Sequence, residues 1–93
     1  MPKKIQIKVI VSGRVQGVFY RFHTKNTADR LGVKGYVKNL SNGSVEAVFE
    51  GEQPSVTQMM DWCHKGPAAS KVEDVLAEKA EAPSNFETFE IRY

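Results

Sequence analysis

The sequence predicts an α+β fold, a ferredoxin-like α/β sandwich in which a mainly antiparallel sheet carries two helices on one face. Three observations support this prediction. Several segments alternate apolar and polar residues with the period of a strand, and two others repeat apolar residues at helical spacing. Along the chain these segments follow the order βαββαβ, and a short C-terminal strand comes last. The same fold hosts many functions, so function has to be argued from individual residues.

A glycine-containing loop separates the first strand from the first helix. Apolar residues alternate with polar ones along the strand, as expected for one buried face, at Ile5, Ile7, Val9 and Val11. After the loop, small and apolar residues recur at helical spacing, at Tyr20, Thr24, Thr27, Ala28 and Leu31. Gly32 follows as the expected C-terminal cap of this helix.

A β-hairpin is predicted next. Residues 33–40 and 44–51 have the composition of short strands, and Ser41, Asn42 and Gly43 join them. Because an Asn-Gly pair favours positive φ angles, we expect a tight turn here.

The second helix and the last two strands complete the pattern. A helical stripe is formed by Val56, Met59, Met60 and Cys63. Ser55 and Gln58 are spaced as a capping box at its start, and Gly66-Pro67 predicts its end. Residues 72–80 predict the fourth strand, residues 82–85 a turn, and the alternation of Phe89, Ile91 and Tyr93 the final strand.

Length and composition predict the general class of protein. A chain of 93 residues is expected to form one domain, residues 1–93. The single cysteine, Cys63, excludes an intrachain disulfide and a cysteine-based zinc site. The N-terminal residues lead into polar-apolar alternation instead of an apolar run, which predicts neither a signal peptide nor a membrane helix. We therefore expect a soluble, cytoplasmic monomer.

Charge is distributed unevenly along the chain. Residues 1–45 hold nine Lys/Arg and one acid, Asp29, whereas residues 46–93 hold four Lys/Arg and ten Asp/Glu, for a net charge of +2. A basic first half would attract a small anionic substrate. The same distribution is equally compatible with ordinary solvated surface charges.

The loop after the first strand has the parts of a phosphate cradle. Gly13 and Gly17 allow backbone N–H groups to converge on an anion without interference from a Cβ atom. The N-terminus of the following helix adds unpaired donors, and Arg21 adds a planar guanidinium that suits oxyanions.

Two ordered motifs resemble the acylphosphatase family, and the resemblance covers nearly the whole chain. The matching residues are the run from Gly13 to Val18 with Arg21, the run from Leu31 to Asn39, Asn42-Gly43, Gly66-Pro67 and the ending from Phe89 to Tyr93. The resemblance implies hydrolysis of acyl phosphates, which are carboxyl-phosphate anhydrides, to a carboxylate and inorganic phosphate without a metal or cofactor. Arg21 and Asn39 would be catalytic, Arg21 by binding phosphate and Asn39 by positioning the attacking water.

The resemblance also assigns the rest of the site and the partners. Phosphate would be held, together with Arg21, by the loop residues Val15, Gln16, Gly17, Val18 and Phe19. The partner would be a small acyl phosphate, inorganic phosphate or sulfate could occupy the site, and neither nucleic acid nor a membrane is expected. Two positions depart from the family pattern: Tyr36 stands where tryptophan is common, and Leu40 where a small polar residue is frequent. Neither change removes a reacting group.

Each candidate residue also has a purely structural interpretation. Gln16 could brace the loop, and Asn39 could be a strand-end residue satisfied by the hairpin. His23 is interpreted as a solvent-facing helix residue instead of a nucleophile or base. His64 is interpreted as a helix-end contact, because it lacks further ligands at metal spacing. Cys63 and Trp62 are interpreted as packing residues.

Two alternative functions remain open from the residues. Small ferredoxin-like sheets also bind RNA through aromatic residues on their central strands, and the run from Lys34 to Val37 faintly resembles that signature. The further aromatic residues and the strongly positive charge of such a module are missing. A non-catalytic anion-binding module would keep the loop, but intact Arg21 and Asn39 argue against it.

Overall fold

The computed structural model describes residues 3–81 and 83–93 and confirms the predicted order of elements. The strands and helices are β1 Lys4–Arg14, α1 Tyr20–Leu31, β2 Lys34–Asn39, β3 Val45–Glu52, α2 Gln53–Lys65, β4 Lys71–Lys79 and β5 Phe89–Arg92. The predicted turn at residues 82–85 includes Ala82, which lies outside the described residues.

The strands form one sheet in the order β4-β1-β3-β2-β5, with the helices on one face. β1 pairs antiparallel with both β3 and β4, and β2 pairs antiparallel with β3. β5 adds to the edge as the parallel partner of β2. Because β2 and β5 run parallel, the C-terminal end of β2, which carries Asn39, lies beside the C-terminal end of β5.

The core lies between the sheet and the two helices. It contains the inward-facing residues of the central strands, among them Val9, Val37 and Phe49, which are fully buried. Two buried threonines of α1 have their hydroxyls satisfied within the helix, where Thr24 donates to the carbonyl of Tyr20 at 2.7 Å and Thr27 to that of His23 at 2.8 Å. The predicted alternation of β1 and the stripe of α1 are therefore confirmed.

Two local predictions were wrong. α2 begins at Gln53 with Pro54 in its first turn and no side-chain cap, so Ser55 and Gln58 lie inside the helix and form no capping box. Proline is favoured in the first turn because its missing N–H has no partner there anyway.

The hairpin turn also differs from the predicted one. Only Gly43 takes a positive φ, of 92°, and Leu40 donates its N–H to the carbonyl of Ser44 at 2.8 Å around a three-residue loop. Asn42 instead accepts a hydrogen bond from the N–H of Ser44 at 3.0 Å. The asparagine therefore stabilises the turn through its side chain and not through a positive φ, and the three residues that were predicted to join the strands form the loop.

A fully buried carboxylate on the opposite face of the sheet holds the segment between β4 and β5. Glu50 is 0% exposed. Its oxygens accept hydrogen bonds from the backbone N–H groups of Ser84 at 2.6 Å, Asn85 at 3.2 Å and Phe86 at 2.7 Å, and from the side chain of Gln6 at 3.0 Å. Burial opposes the charge, but these donors outweigh it and lower the pKa of Glu50.

Glu50→Gln is expected to destabilise the fold by about 1.5–3 kcal/mol at neutral pH, the usual contribution of a hydrogen bond to a charged group. Because the folded-state pKa of Glu50 is lowered, its stabilisation is present above the ordinary pKa of 4.5 and is lost as pH falls through the folded value. Urea unfolding at pH 7 and at acidic pH should therefore show a smaller acid-induced loss in the variant. Glu52→Gln, at an exposed position on the same strand, is the matched control, and an equal effect of both changes would contradict the assignment.

Candidate active site

The loop between β1 and α1 has an unusual backbone. Gly17 and Phe19 both lie in the left-handed region, with φ of 73° and 60°. Glycine adopts this conformation freely, whereas a phenylalanine held there costs about 1–3 kcal/mol and is typical of functional sites. The surrounding packing therefore holds this loop in a conformation that the chain alone would disfavour.

The same loop presents unpaired backbone donors. The first hydrogen bond of α1 runs from the N–H of His23 to the carbonyl of Phe19 at 3.0 Å, so the N–H groups of Tyr20, Arg21 and Phe22 precede the helical ladder. Within residues 3–81 and 83–93, the N–H groups of residues 16–19 donate no hydrogen bond to the protein. Unpaired donors at a helix N-terminus are suited to binding an anion.

These donors adjoin a cavity of about 420 Å³. Its lining residues come from the loop, from the first turn of α1 and from the ends of β2 and β5: Val15, Gly17, Phe19, Tyr20, Arg21, Phe22, Asn39, Ile91 and Tyr93. The structure thus brings together five of the predicted site residues. The other two, Gln16 and Val18, are not among the lining residues.

Arg21 lies in the first turn of α1 and is held from the side of β5. Its Nη1 donates a hydrogen bond to the carbonyl of Arg92 at 3.1 Å, and its Cζ lies 4.7 Å from the centre of the Tyr93 ring. Among the described residues, no carboxylate lies within ion-pair distance of Arg21. The guanidinium therefore brings an uncompensated positive charge to the cavity, at a helix end where an anion is favoured.

Asn39 is the last residue of β2 and pairs with Val45 on β3. Its side-chain oxygen Oδ1 is buried and has no hydrogen-bond partner among the described residues. A buried unpaired oxygen costs about 1–3 kcal/mol, so buried polar atoms normally have a partner. The structural alternative, in which the hairpin satisfies this oxygen, is not what the structure shows.

Gln16 connects the loop to the β2–β3 hairpin. Its Nε2 donates to the carbonyls of Leu40 and Ser44, each at 2.8 Å. Leu40 directly follows Asn39, so these two bonds fix the loop relative to the asparagine. The expected bracing role of Gln16 is present, and it acts on the neighbouring hairpin. The contact of Gln16 with phosphate stays a prediction, and its backbone N–H would make that contact because the side chain is already engaged.

Gly13 has a different role from the one predicted. It lies within β1, beside an irregularity in the pairing with β4, at a φ of 122°. A Cβ atom at this position would collide with the carbonyl oxygen of Lys71. The glycine is therefore required for the close approach of two strands and does not line the cavity.

The remaining polar candidates have structural roles. His23 is exposed, and Nδ1 of His64 lies 2.7 Å from the carbonyl oxygen of Met60. Cys63 is buried in the core, where burial raises the pKa of its thiol to about 12. Among residues 3–81 and 83–93, no group of three or more His, Cys, Asp or Glu side chains is arranged to hold a metal ion. Nor is any helix in these ranges long and apolar enough to span a bilayer.

The fold brings several basic side chains of the first half of the chain next to acidic side chains of the second half. Lys4 lies 3.7 Å from Glu50, and Lys8 and Lys38 lie 3.4 and 3.5 Å from Glu46, so basic side chains of the first half pair with acids of the second. The Tyr36 hydroxyl also donates to Glu46 at 2.8 Å. Although burial of Glu46 opposes the charge, these partners lower its pKa. The cavity keeps its positive charge because Arg21 stays outside these pairs.

Sequence reasoning missed the contribution of the chain's last residues and of Phe22 to the site. Ile91, Tyr93 and the carbonyl of Arg92 reach the cavity only because β5 pairs in parallel with β2. The regular alternation of the last segment predicts that it is a strand, but it does not predict with which other strand this one pairs. Phe22 follows Arg21 directly, and its exposure could not be deduced from its apolar character.

Comparison with known proteins agrees with these features. The acylphosphatase family model matches residues 7–91. Acylphosphatases from Rubrobacter xylanophilus and Geobacter sulfurreducens are 51% and 44% identical over 87 and 90 residues, which cover 94% and 97% of this chain and 79% and 99% of the relatives.

Solved structures agree with the fold as well. The acylphosphatase from Bacillus subtilis superimposes with a TM-score of 0.92 at 32% identity, covering 96% of this chain and 99% of its own. That from Coxiella burnetii gives a TM-score of 0.91 at 38% identity, covering 96% and 93%. With a family model matched over most of its length and relatives of this similarity, the chain belongs to the acylphosphatase family.

Proposed function

We propose that the cavity around Arg21 and Asn39 is the site at which this enzyme hydrolyses acyl phosphates. One observation carries the proposal: among the described residues, Arg21, whose guanidinium has no ion-pair partner, and Asn39, whose Oδ1 is buried without a hydrogen-bond partner, line the same cavity beside free backbone N–H groups. The guanidinium and the backbone N–H groups are donors suited to the phosphoryl oxygens. The amide oxygen of Asn39 is an acceptor suited to a water molecule.

The phosphoryl group would be held by the loop and by Arg21. The backbone N–H groups of Val15, Gln16, Gly17, Val18 and Phe19 would donate to its peripheral oxygens, and the guanidinium would add two charge-assisted hydrogen bonds. Because Arg21 already rests on the Arg92 carbonyl and the Tyr93 ring, little ordering of its side chain remains to be done when substrate binds.

Asn39 would position the attacking water. Its Oδ1 accepts one hydrogen of the water and directs a lone pair of the water oxygen at phosphorus. The new P–O bond forms as the bond to the acyl oxygen breaks, and the electron pair of that bond leaves with the carboxylate. A carboxylate is a good leaving group and needs little acid assistance.

The proton of the attacking water needs an acceptor. An asparagine amide is neutral at working pH and cannot act as an ordinary base. Among the described residues that line the cavity, none is His, Asp or Glu. The proton would therefore pass to a phosphoryl oxygen of the substrate itself, so that a dianionic acyl phosphate and water give a carboxylate and dihydrogen phosphate.

The two alternative functions are not favoured by the comparisons. The relatives that match nearly the whole of this chain carry the name of an enzyme. We extend the proposal to the partners: the chain would act as a monomer, and inorganic phosphate or sulfate would compete for the loop.

Hydrolysis of benzoyl phosphate in the presence of a chelator tests the proposal. We expect benzoate and phosphate to be released in equal amounts, well above the uncatalysed rate, with inorganic phosphate as a competitive inhibitor. Release that does not exceed the uncatalysed rate would contradict the assignment of activity, and inhibition that is not competitive would contradict the phosphate site.

A further inference from the structure

The acyl end of the substrate has no assigned contact so far, and the exposed aromatic rings at the cavity provide one. The described residues include four exposed large apolar side chains: Phe19, Phe22, Leu76 and Tyr93, with exposed fractions of 75%, 53%, 62% and 99%. Three of these four, all except Leu76, line the cavity that contains Arg21 and Asn39. Exposed apolar side chains concentrated at one cavity typically mark a binding surface.

The geometry of in-line displacement places the acyl group near these rings. The attacking water is held by Oδ1 of Asn39, which is buried and therefore lies on the inner side of the cavity. The leaving oxygen must lie on the opposite side of phosphorus, toward the opening. Phe19 and Phe22 line this cavity and are largely exposed, so their rings are expected at this opening.

The three aromatic rings differ in their contacts with other residues of the protein. The centre of the Tyr93 ring lies 4.7 Å from Cζ of Arg21. The Phe22 ring meets the exposed His23 ring edge-on at a centroid distance of 5.5 Å, which leaves a face open. Phe19 is held in a left-handed backbone conformation, and its side chain remains mostly exposed. The fixed backbone of Phe19 also fixes the direction in which its exposed side chain leaves the loop.

The charge of the cavity favours an uncharged acyl group. Among the described residues that line it, Arg21 has the one charged side chain, and that charge is engaged with the phosphoryl group under the proposed function. A second carboxylate on the acyl part would find no cation among these lining residues, whereas an apolar ring would find two aromatic faces.

We propose that Phe19 and Phe22 form an acyl-group subsite that selects acyl phosphates with an uncharged apolar, preferably aromatic, acyl group. This inference rests on the proposed function, because it concerns the part of the same substrate that the loop does not hold. The two phenylalanines are specificity-determining residues in this scheme, and the bond-breaking step itself stays with Arg21, Asn39 and the water.

The test compares two substrates in matched variants. The ratio of kcat/KM for benzoyl phosphate to that for acetyl phosphate, each divided by its uncatalysed rate, is measured in the wild type and in Phe22→Ala. An aromatic contact contributes a factor of roughly 2 to 12, so we expect the ratio to fall by that amount. Phe22→Tyr keeps the ring and should restore the ratio, and Leu76→Ala removes an exposed apolar side chain elsewhere and should leave it unchanged.

A second variant tests the other ring without disturbing the backbone. Asparagine tolerates the left-handed conformation, so Phe19→Asn removes the ring while the loop keeps its shape, and it should lower the same ratio. An unchanged ratio in both variants, or an equal loss for both substrates, would overturn the subsite while leaving the proposed function in place. Failure of the wild type to hydrolyse either substrate would instead overturn the proposed function.

Discussion

Arg21→Ala is expected to lower kcat/KM by roughly 10²- to 10⁴-fold, the largest effect of any single substitution considered for this enzyme. Two charge-assisted hydrogen bonds at about 1.5–3 kcal/mol each account for this loss. Inorganic phosphate should also become a much weaker competitive inhibitor, because the same guanidinium binds the free anion. Both quantities can be measured by following benzoyl phosphate hydrolysis at increasing phosphate concentration.

The control for this prediction is Arg21→Lys. Lysine keeps the positive charge at the start of α1 but cannot form the planar two-point contact, so we expect intermediate activity. Arg21→Ala loses the hydrogen bond to the Arg92 carbonyl and the contact with the Tyr93 ring, so the urea midpoints of both variants must be measured beside their rates. Unchanged phosphate inhibition in a folded Arg21→Ala protein would refute the assigned role.

Asn39→Ala is expected to lower kcat by about a hundredfold or more while phosphate inhibition stays close to that of the wild type. Misplacing a reacting group by about 1 Å can cost a factor of this size, and the proposed partner of Asn39 is the water and not the phosphoryl group. Removing a buried, unpaired oxygen should cost little stability. Steady-state kinetics with benzoyl phosphate separate the effect on kcat from the effect on binding.

A second asparagine in the same hairpin provides the control. Asn42 accepts a hydrogen bond from the N–H of Ser44 and is exposed, so Asn42→Ala should weaken the turn and leave turnover nearly intact. If the two variants lost activity to the same extent, the effect at Asn39 would reflect the hairpin as a whole. A strong loss of phosphate inhibition in Asn39→Ala with normal turnover would also contradict the assigned role.

The sequence predicted the elements and the location of the loop because these depend on local pattern. Alternation in β1, helical spacing in α1 and a glycine loop between them suffice to put Arg21 in the first turn of a helix. Gly32 as the cap of α1 is likewise a local signal, and its φ of 74° confirms it.

Features that depend on contacts between distant segments could not be predicted in this way. Gly13 is required by the carbonyl of Lys71 on β4, and Glu50 by backbone N–H groups in the segment before β5. Nothing in the residues around Glu50 distinguishes it from an exposed strand carboxylate. The start of α2 was misplaced for a local reason, since Pro54 and the extended residue before the helix compete with the Ser55 capping pattern.

The hydrogen bond from Arg21 to the Arg92 carbonyl joins residues 71 positions apart in the chain. Contacts of high sequence separation are slow to form during folding. A chain that has formed its helices and hairpin but has not docked β5 would already be collapsed, yet its guanidinium would lack the support of β5. The return of catalytic activity during refolding would therefore mark the docking of the C-terminal strand and not the first collapse of the chain.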